Sequence, residues 1–319
     1  MKKFANRLAV IFFCIFILCA SVSAAEFLIP GGQLIGLQLQ DHTVTVAAFD
    51  EELGSTARTA GLKVGDKIIK IDNKTVSCAE DVRNAIVHSN GQVDISVLRD
   101  GKTKNIKLRP NITSGGPRLG VYLKQGTTGV GTVTFYDPDD GSFGSRGHGV
   151  NTPAGDLMPM ETGTVYPASI LSVKKGAVGE PGQIIGCLKG DAALGTLSKN
   201  THQGVFGSMD YSGKYAPIPI GSAQTGSATI RSTVQDQGLR EYSVEILKIY
   251  PNTKTGNRNM LLKITDPALL ETTGGIVQGM SGSPIIQDGK LVGAVTHVLV
   301  NDPTTGYGIF IENMLDAAA

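Results

Sequence analysis

Short stretches of the chain alternate apolar and polar residues with a period of two, which is the pattern of half-buried β-strands. Before residue 110 these strand patterns are mixed with two helical patterns, at residues 55–60 and 79–89. After residue 117 strand patterns and turn residues follow one another with hardly any helical signal. The pattern therefore predicts a mostly β protein, with a small α+β domain followed by a larger β-barrel or double-barrel domain. The expected strands of the larger domain cover residues 132–136, 162–166, 228–233, 241–250 and 260–264.

The first 25 residues have the pattern of a targeting segment. Basic Lys2, Lys3 and Arg7 precede an uncharged apolar run over residues 8–25, which ends in small residues. This is the order found in secretory signal peptides. The run is also long enough for a membrane anchor, which needs roughly 17–25 residues. We therefore expect an exported protein, and the pattern leaves open whether residues 1–25 are cleaved off or retained as an anchor.

Composition narrows the class of protein further. The length of 319 residues suggests about two domains, and 41% hydrophobic against 18% charged residues excludes a disordered chain. The net charge of +1 provides no broad basic field, so nucleic acid is not expected as a partner. Outside the targeting segment, Cys78 and Cys187 lie in no CxxC pair and have no histidine at ligand spacing. No metal site is predicted, and two buried thiols are favoured over an interdomain disulfide.

One motif points to the class of the first domain. Residues 57–72 read ARTAGLKVGDKIIKID and closely resemble the bacterial PDZ pattern A-x-x-A-G-[LI]-x-x-G-D-x-[IL]-x-x-[IV]. We place a PDZ domain at residues 27–110, followed by a polar, glycine-rich linker at 111–117. The resemblance implies that a peptide adds a strand beside the first core strand. The expected peptide-binding residues are Gly36, Leu37, Gln38 and Leu39, with N–H groups near Gly36 binding a terminal carboxylate.

A glycine- and serine-rich turn in front of a hairpin is the sharpest motif of the chain. It reads GMSGSPII from residue 279. Gly279 lets the chain bend so that its N–H and that of Ser281 converge as an oxyanion hole. Ser281 is the predicted nucleophile, and Ser283 is the alternative hydroxyl. With LVGAV following, the motif resembles trypsin-like serine peptidases, so residues 118–319 are expected to form a chymotrypsin-like β-barrel domain that needs no cofactor.

A serine hydroxyl needs a neighbouring base, because it is a weak nucleophile at its own pKa. His42 and His88 fall in the first domain and are set aside. His148 is the predicted base, because glycines on both sides allow another chain to approach and because it precedes the serine. His202 and His297 are the alternatives.

The position of the third catalytic group is less restricted. Asp266 follows a predicted strand and lies between His148 and Ser281. It is close to the serine, whereas the usual acid of trypsin-like enzymes lies near the middle of that interval. On spacing alone, the competing acids are Asp191, Asp210 and Asp236.

Several further segments together resemble one family. They are RLGV (118–121), GVGTVTFYDP (129–138), GHG (147–149), residues 186–195, GVFG (204–207) and QGMSGSP (278–284). These look like the stage IV sporulation protein B peptidase family, whose order of targeting segment, PDZ domain and serine peptidase domain matches here. The resemblance implies Asp266 as the acid, in the context I-x-D-x-x-L. Around His148 the family reads G-x-L-G-H-x-I-x-D-x-D-T, and this chain has lost the acidic positions after the histidine.

The same resemblance implies a biological role. The chain would be an exported endopeptidase of endospore-forming bacteria, acting between the two membranes around the forespore. Its substrate would be a membrane-associated regulatory protein, its PDZ domain would bind a peptide or restrain the enzyme, and it would cleave itself near its N-terminus. One alternative is a non-catalytic PDZ scaffold with a degenerate peptidase domain. A quality-control protease of the HtrA kind is disfavoured, because there the protease precedes the PDZ domain.

Overall fold

A computed structural model describes residues 27–319 except 90, 153–154, 236–237 and 252–255. The expected signal or anchor segment at 1–25 lies outside the described residues. Among the helices that are described, none is both long and apolar enough to span a bilayer.

The described chain is mostly β. Its strands are β1 (Phe27–Pro30), β2 (Leu34–Phe49), β3 (Lys67–Ile71), β4 (Lys74–Thr75), β5 (Val93–Arg99), β6 (Lys102–Leu108), β7 (Asn111–Thr113), β8 (Gly116–Arg118), β9 (Val121–Tyr136), β10 (Ser142–Ser145), β11 (Thr162–Lys174), β12 (Gln183–Leu188), β13 (Gly195–Thr201), β14 (Gly204–Met209), β15 (Ile218–Pro219), β16 (Gly226–Ser232), β17 (Arg240–Ile249), β18 (Met260–Ile264), β19 (Pro284–Gln287), β20 (Lys290–Leu299) and β21 (Asp302–Phe310). Its helices are α1 (Gly54–Ala60), α2 (Ala79–Val87), α3 (Pro267–Thr273) and α4 (Ile311–Ala318).

The predicted α+β domain forms around its own apolar core. Helices α1 and α2 lie where the helical spacing predicted them, and β5 and β6 pair across the Asp100–Gly101 turn. Buried side chains from both helices and from the strands, such as Ala57, Ile68, Val82 and Ile95, form one cluster. Gly61 ends α1 in the left-handed conformation at φ +99°, which a glycine adopts without steric cost.

The C-terminal part is a closed barrel with the strand order β16-β17-β18-β21-β20-β19. Alternation is visible in β17, where every second residue from Tyr242 to Ile246 is buried and the residues between them are exposed. Closing the sheet leaves no free edge strand and encloses an apolar core. Together with the sheet around β9, β10, β13 and β14, this barrel gives the chymotrypsin-like β architecture that the sequence predicts.

Two long strands join the PDZ part to the peptidase part. Strands β2 and β9 are sixteen residues each, and they pair with each other along almost their whole length. Residues 34–39 of β2 pair with 127–132 of β9 inside the peptidase part, and residues 44–49 pair with 121–125 inside the PDZ part. The strand pairing therefore crosses the boundaries predicted near residues 110 and 118. The expected linker at 111–117 lies largely in the short hairpin of β7 and β8.

Candidate active site

The turn that carries Ser281 depends on two glycines. Gly279 and Gly282 have φ values of +103° and +99°, in the region that side chains rarely adopt. A Cβ atom at Gly282 would collide with the carbonyl oxygen of Thr132 and with the backbone of Arg146. The turn is therefore packed directly against β9 and the segment that leads to His148.

Hydrogen bonds to β9 orient this turn. The Thr132 hydroxyl donates to the carbonyl of Gly279 at 2.7 Å, and the Thr134 hydroxyl donates to that of Gly282 at 2.8 Å. The carbonyl groups of Gly279 and Gly282 thus face β9. In the described part of the chain, the N–H groups of Gly279 and Ser281 donate to no acceptor. Two free N–H groups beside a serine hydroxyl are what an oxyanion hole requires.

The structure separates the two candidate hydroxyls. Ser281 is partly accessible, and its Oγ donates to the carbonyl of Thr296 at 2.8 Å. Ser283 is 0% exposed, and its Oγ donates to the hydroxyl of Ser232 at 3.0 Å. Only Ser281 is open to a substrate, so the geometry favours it as the nucleophile.

The predicted base lies in the same cavity as the nucleophile. The cavity has a volume of about 460 Å³, and both Ser281 and His148 line it. Nδ1 of His148 lies 2.9 Å from the carbonyl oxygen of Gly149. Because a carbonyl only accepts, Nδ1 carries the proton and Nε2 keeps the lone pair that a base needs. His148 and Ser281 do not hydrogen-bond to each other here, so Ser281 must leave the Thr296 carbonyl before it can react.

The surroundings of His148 favour its neutral form. Burial and then the positive charge of Arg146 lower the pKa of His148 to about 4. The hydrogen bond to Gly149 acts in the opposite direction, and His297 lowers the pKa further. The imidazole is therefore neutral, and able to accept a proton, at neutral and mildly acidic pH.

Asp266 is not where the predicted triad needs it. Its Oδ1 accepts from the N–H of Leu269 at 3.0 Å, and its Oδ2 accepts from that of Ser243 at 3.3 Å. Asp266 is thus the N-cap of α3, and within the described residues it makes no hydrogen bond to His148. The local sequence Asp-Pro before a helix explains this, because aspartate is a strong N-cap and proline suits the first helical turn. The hydrogen bond between Asp266 and His148 that the triad prediction implies is therefore not formed in this structure, and the role of Asp266 stays a prediction.

The competing acids do not replace Asp266. Asp191 and Asp210 are exposed, and neither lines the cavity with Ser281. Asp236 lies outside the described residues. The polar groups that the structure does bring to His148 are cationic or neutral.

Sequence reasoning missed two neighbours of the predicted base. The ring of His297 lies with its centroid 5.5 Å from that of His148, and its buried Nδ1 has no hydrogen-bond partner. Arg146 lines the same cavity. Arg146 lies two residues before His148, and His297, which the sequence offered only as an alternative base, lies in β20; neither position in the chain predicts a contact with His148. His202, the other alternative base, is exposed and lines a second cavity of about 390 Å³ that His148 and His297 also border.

The cysteines offer no further chemistry. Cys78 and Cys187 are both free thiols and half-buried, so no disulfide joins them and they are less buried than predicted. No cluster of three histidine, cysteine or acidic side chains suited to a metal ion occurs among the described residues.

The predicted peptide-binding strand has no free edge. Gly36, Leu37, Gln38 and Leu39 pair with β9 on one side and with β11 on the other. An added strand needs unpaired N–H and C=O groups along one edge, so a peptide cannot add here. The prediction placed this segment at a sheet edge. The structure shows that this edge is occupied by β11, a strand far away in the sequence.

The PDZ part has a free edge elsewhere. Residues 121–125 of β9 pair with β2 only, and their other edge faces α2. Between them lies a cleft of about 570 Å³, lined by Val82, Ile86 and Leu123 among others. Arg118 and Gly120 also line it, and Gly120 has φ +72°, where a side chain would collide with the carbonyl of Leu53. The strand that borders this cleft thus follows the predicted PDZ range in the chain.

Comparison with known families agrees with the fold. A PDZ domain model matches residues 33–109, and a model described as SpoIVB peptidase S55 matches residues 115–315. The fold and the two matches define a chain that combines a PDZ domain with a domain of the serine-peptidase class. More particularly, because the second match covers more than half of the sequence, the chain belongs to the SpoIVB peptidase S55 family.

Individual relatives are more distant. The metalloprotease MmpA of Caulobacter vibrioides is 30% identical over 98 residues, which are 30% of this chain and 24% of that protein. The chain thus spans about a quarter of the length of that curated relative. The PDZ domain of the SdrC-like protein of Listeria monocytogenes is 20% identical and covers 25% of this chain and 85% of its own, with a TM-score of 0.22. The active form of the Rv3671c protease of M. tuberculosis is 14% identical over 60% of this chain and 73% of its own, with a TM-score of 0.35.

Proposed function

We propose that this chain is an exported serine endopeptidase in which Ser281 is the nucleophile and His148 the general base. The observation that carries the proposal is the turn at Ser281. Its accessible hydroxyl and two unpaired N–H groups, those of Gly279 and Ser281, border the cavity that also holds the neutral imidazole of His148. This combination serves acyl transfer and has no evident structural purpose.

The reaction follows from these groups. Ser281 Oγ attacks the carbonyl carbon of the scissile peptide and gives its proton to Nε2 of His148. The negative oxygen of the tetrahedral intermediate is held by the two N–H groups. His148 then protonates the leaving amine, and the C–N bond breaks to leave an acyl-enzyme. A water molecule gives a proton to His148 and attacks the ester, and the acid product leaves as Ser281 is restored.

The orienting group in this proposal is the Gly149 carbonyl. It selects the tautomer with the proton on Nδ1, which is one task of a triad acid. As a neutral dipole it stabilises the imidazolium less than a carboxylate does. The family resemblance implies a Ser-His-Asp triad with Asp266, whereas the hydrogen bonds of Asp266 favour a Ser281–His148 pair.

The biological role rests on the family and on the N-terminal pattern. We propose that the enzyme acts outside the cytoplasm, at or between membranes around the forespore, and signals during sporulation by cleaving a membrane-associated regulatory protein. Self-cleavage near the N-terminus belongs to the same proposal. The cleft between α2 and β9 would bind a peptide from the substrate or a regulator.

A fluorophosphonate probe tests the chemistry directly. We expect it to label the protein from residue 26 onward, and to label Ser283→Ala but neither Ser281→Ala nor His148→Ala. The matched serine variants separate the two hydroxyls of one turn. Because Ser283 is buried and hydrogen-bonded, a thermal melt of each variant shows that the fold is kept.

A second candidate function follows from the hydrogen bond of Ser281 Oγ, which goes to the Thr296 carbonyl and not to His148. If the folded wild type is not labelled, even with membrane vesicles or peptides present, the catalytic proposal fails. The chain would then act as a PDZ scaffold with a silent peptidase domain.

A further inference from the structure

Arg146 is held beside the nucleophile by the backbone. Its N–H donates to the Thr132 carbonyl at 3.0 Å, and Thr132 also binds the turn of Ser281 through Gly279. The Arg146 side chain runs over Gly131, where a Cβ atom would come within 2.8 Å of its Cγ. Arg146 has φ +69°, a left-handed conformation that is costly for any residue except glycine, asparagine or aspartate. The fold thus accepts backbone strain at the residue that brings a guanidinium to this cavity.

The Arg146 guanidinium makes few hydrogen bonds to the rest of the described chain. One nitrogen, Nη1, donates to the carbonyl of Val130 at 3.0 Å, while Nε is buried and has no partner. Arg146 forms no ion pair with any carboxylate of the described residues, and burial lowers its pKa only to about 10. It therefore keeps its positive charge at neutral pH. Arg146 is half-buried with its Nε fully buried, so its charge loses part of its hydration, and a ligand that brings a carboxylate offsets that cost.

The cavity around Arg146 has the composition of an anion site. It holds about 460 Å³, and its polar lining includes Arg146, His148, His297, Gln183 and Gln278. No acidic residue occurs among the described residues that line it. Nδ1 of His297 is a second buried polar atom there without a partner. Hydrogen-bond donors and positive charge are thus gathered where no protein carboxylate balances them.

We propose that this cavity binds the acidic side chain of a substrate residue, with Arg146 as the specificity-determining residue. The inference rests on the proposed function, because it concerns the same active site. The cavity borders Gly279 and Ser281, whose N–H groups bind the scissile carbonyl oxygen. The side chain nearest to that carbonyl belongs to the residue on the amino side of the scissile bond. The preferred substrates therefore have glutamate or aspartate at that position.

Binding of such a side chain also serves the chemistry. The charge of Arg146 disfavours the imidazolium form of His148, which must form during the attack. A carboxylate paired with Arg146 cancels that charge and makes His148 a better base. An acidic residue should therefore raise kcat as well as lower KM.

Matched fluorogenic peptides test the inference. They differ only in the residue before the scissile bond, which is Glu, Gln, Leu or Lys. We expect the wild type to prefer Glu over Gln by at least about tenfold in kcat/KM, as a charge-assisted hydrogen bond is worth roughly that. Arg146→Leu should lose this preference, Arg146→Lys should keep part of it, and the exposed control Arg109→Leu should keep all of it.

Labelling by the fluorophosphonate probe distinguishes the two possible failures. If the wild type is not labelled, the proposed function itself fails. If it is labelled but cleaves the Gln, Leu or Lys peptide as well as the Glu peptide, the specificity inference is overturned and the proposed function stands. It is equally overturned if Arg146→Leu keeps the preference for Glu. Removing an unpaired buried charge should not unfold the protein, and the wild-type preference alone decides the matter if Arg146→Leu is not stable.

Discussion

Individual side chains decide how this site differs from a complete triad. His148 obtains its tautomer from a backbone carbonyl, and its charged neighbour is the cation Arg146. Asp266, which the family resemblance implies as the catalytic acid, caps helix α3 in this structure. The site thus has the groups that we propose as nucleophile, base and oxyanion hole, but no carboxylate hydrogen-bonded to His148 among the described residues.

The lowered pKa of His148 sets the pH range of activity. A base with a pKa of about 4 is deprotonated above that pH, so reactivity should fall only below about pH 5 and not near the usual value of 6.5. The pH dependence of the labelling rate measures this midpoint. An uncharged fluorophosphonate is used so that the probe itself has no group that titrates. Arg146→Leu removes a facing positive charge and should move the midpoint upward, with His297 as the remaining titratable neighbour. A wild-type midpoint near 6.5 would contradict the buried environment of His148.

Substitution at Asp266 separates a cap from a catalytic acid. Asparagine is an equally good N-cap, so Asp266→Asn should keep both the fold and the labelling rate within a few-fold. Asp266→Ala should lower the free energy of unfolding by about 1 kcal/mol, again with little effect on chemistry. Denaturant melts and labelling rates give both quantities. A loss of roughly 10⁴ in rate for the folded Asp266→Asn protein would instead establish Asp266 as the orienting acid.

At the scale of elements, the free edge of β9 is the main result. Its residues 121–125 face α2 across a cleft that Arg118 and Gly120 also line, which is the arrangement for adding a peptide strand. Segment 36–39 lies inside the sheet and offers no such edge.

The cleft should bind a peptide through its terminal carboxylate. A fluorescein-labelled peptide that ends in valine should bind Ser281→Ala protein more tightly as the free acid than as the amide. Arg118→Glu should weaken binding of the free acid by about tenfold, since one favourable charge becomes repulsive. The matched control Lys102→Glu lies exposed at the start of β6, away from the cleft, and should change nothing. Fluorescence anisotropy measures the affinity of each peptide for the Ser281→Ala protein and for the two charge variants. Equal binding of the free acid and the amide would argue against carboxylate recognition in this cleft.

At the scale of the whole molecule, the paired strands β2 and β9 run through both the PDZ part and the peptidase part and join them. The N-terminal residues of the described chain contribute buried side chains to the peptidase cores, including Leu28, Leu37 and Leu39, which are 0–1% exposed. Strand β9 thus runs from the PDZ part to Thr132, which hydrogen-bonds to the turn of Ser281.

A fragment of residues 118–319 should not fold on its own. It lacks the six buried aliphatic side chains that β1 and β2 contribute to the peptidase cores, each worth about 2 kcal/mol, which together approach the whole stability of a domain. We expect no cooperative thermal transition and no fluorophosphonate labelling for this fragment, whereas residues 27–319 should show both. Labelling of the fragment at the full-length rate would show that the peptidase part is independent of β2.

The sequence by itself determined what depends on neighbouring residues. The glycine turn around Ser281, the glycine-flanked His148, the helices of the PDZ part and the alternating strands all follow from local spacing and backbone conformation. Only the tertiary structure decided which strand edges are paired, that the ring of His297 lies beside that of His148, and that Arg146 lines the cavity of Ser281 with no carboxylate of the described residues paired to it. These properties join residues far apart in the chain, and their distances depend on how whole sheets pack, which no local pattern records.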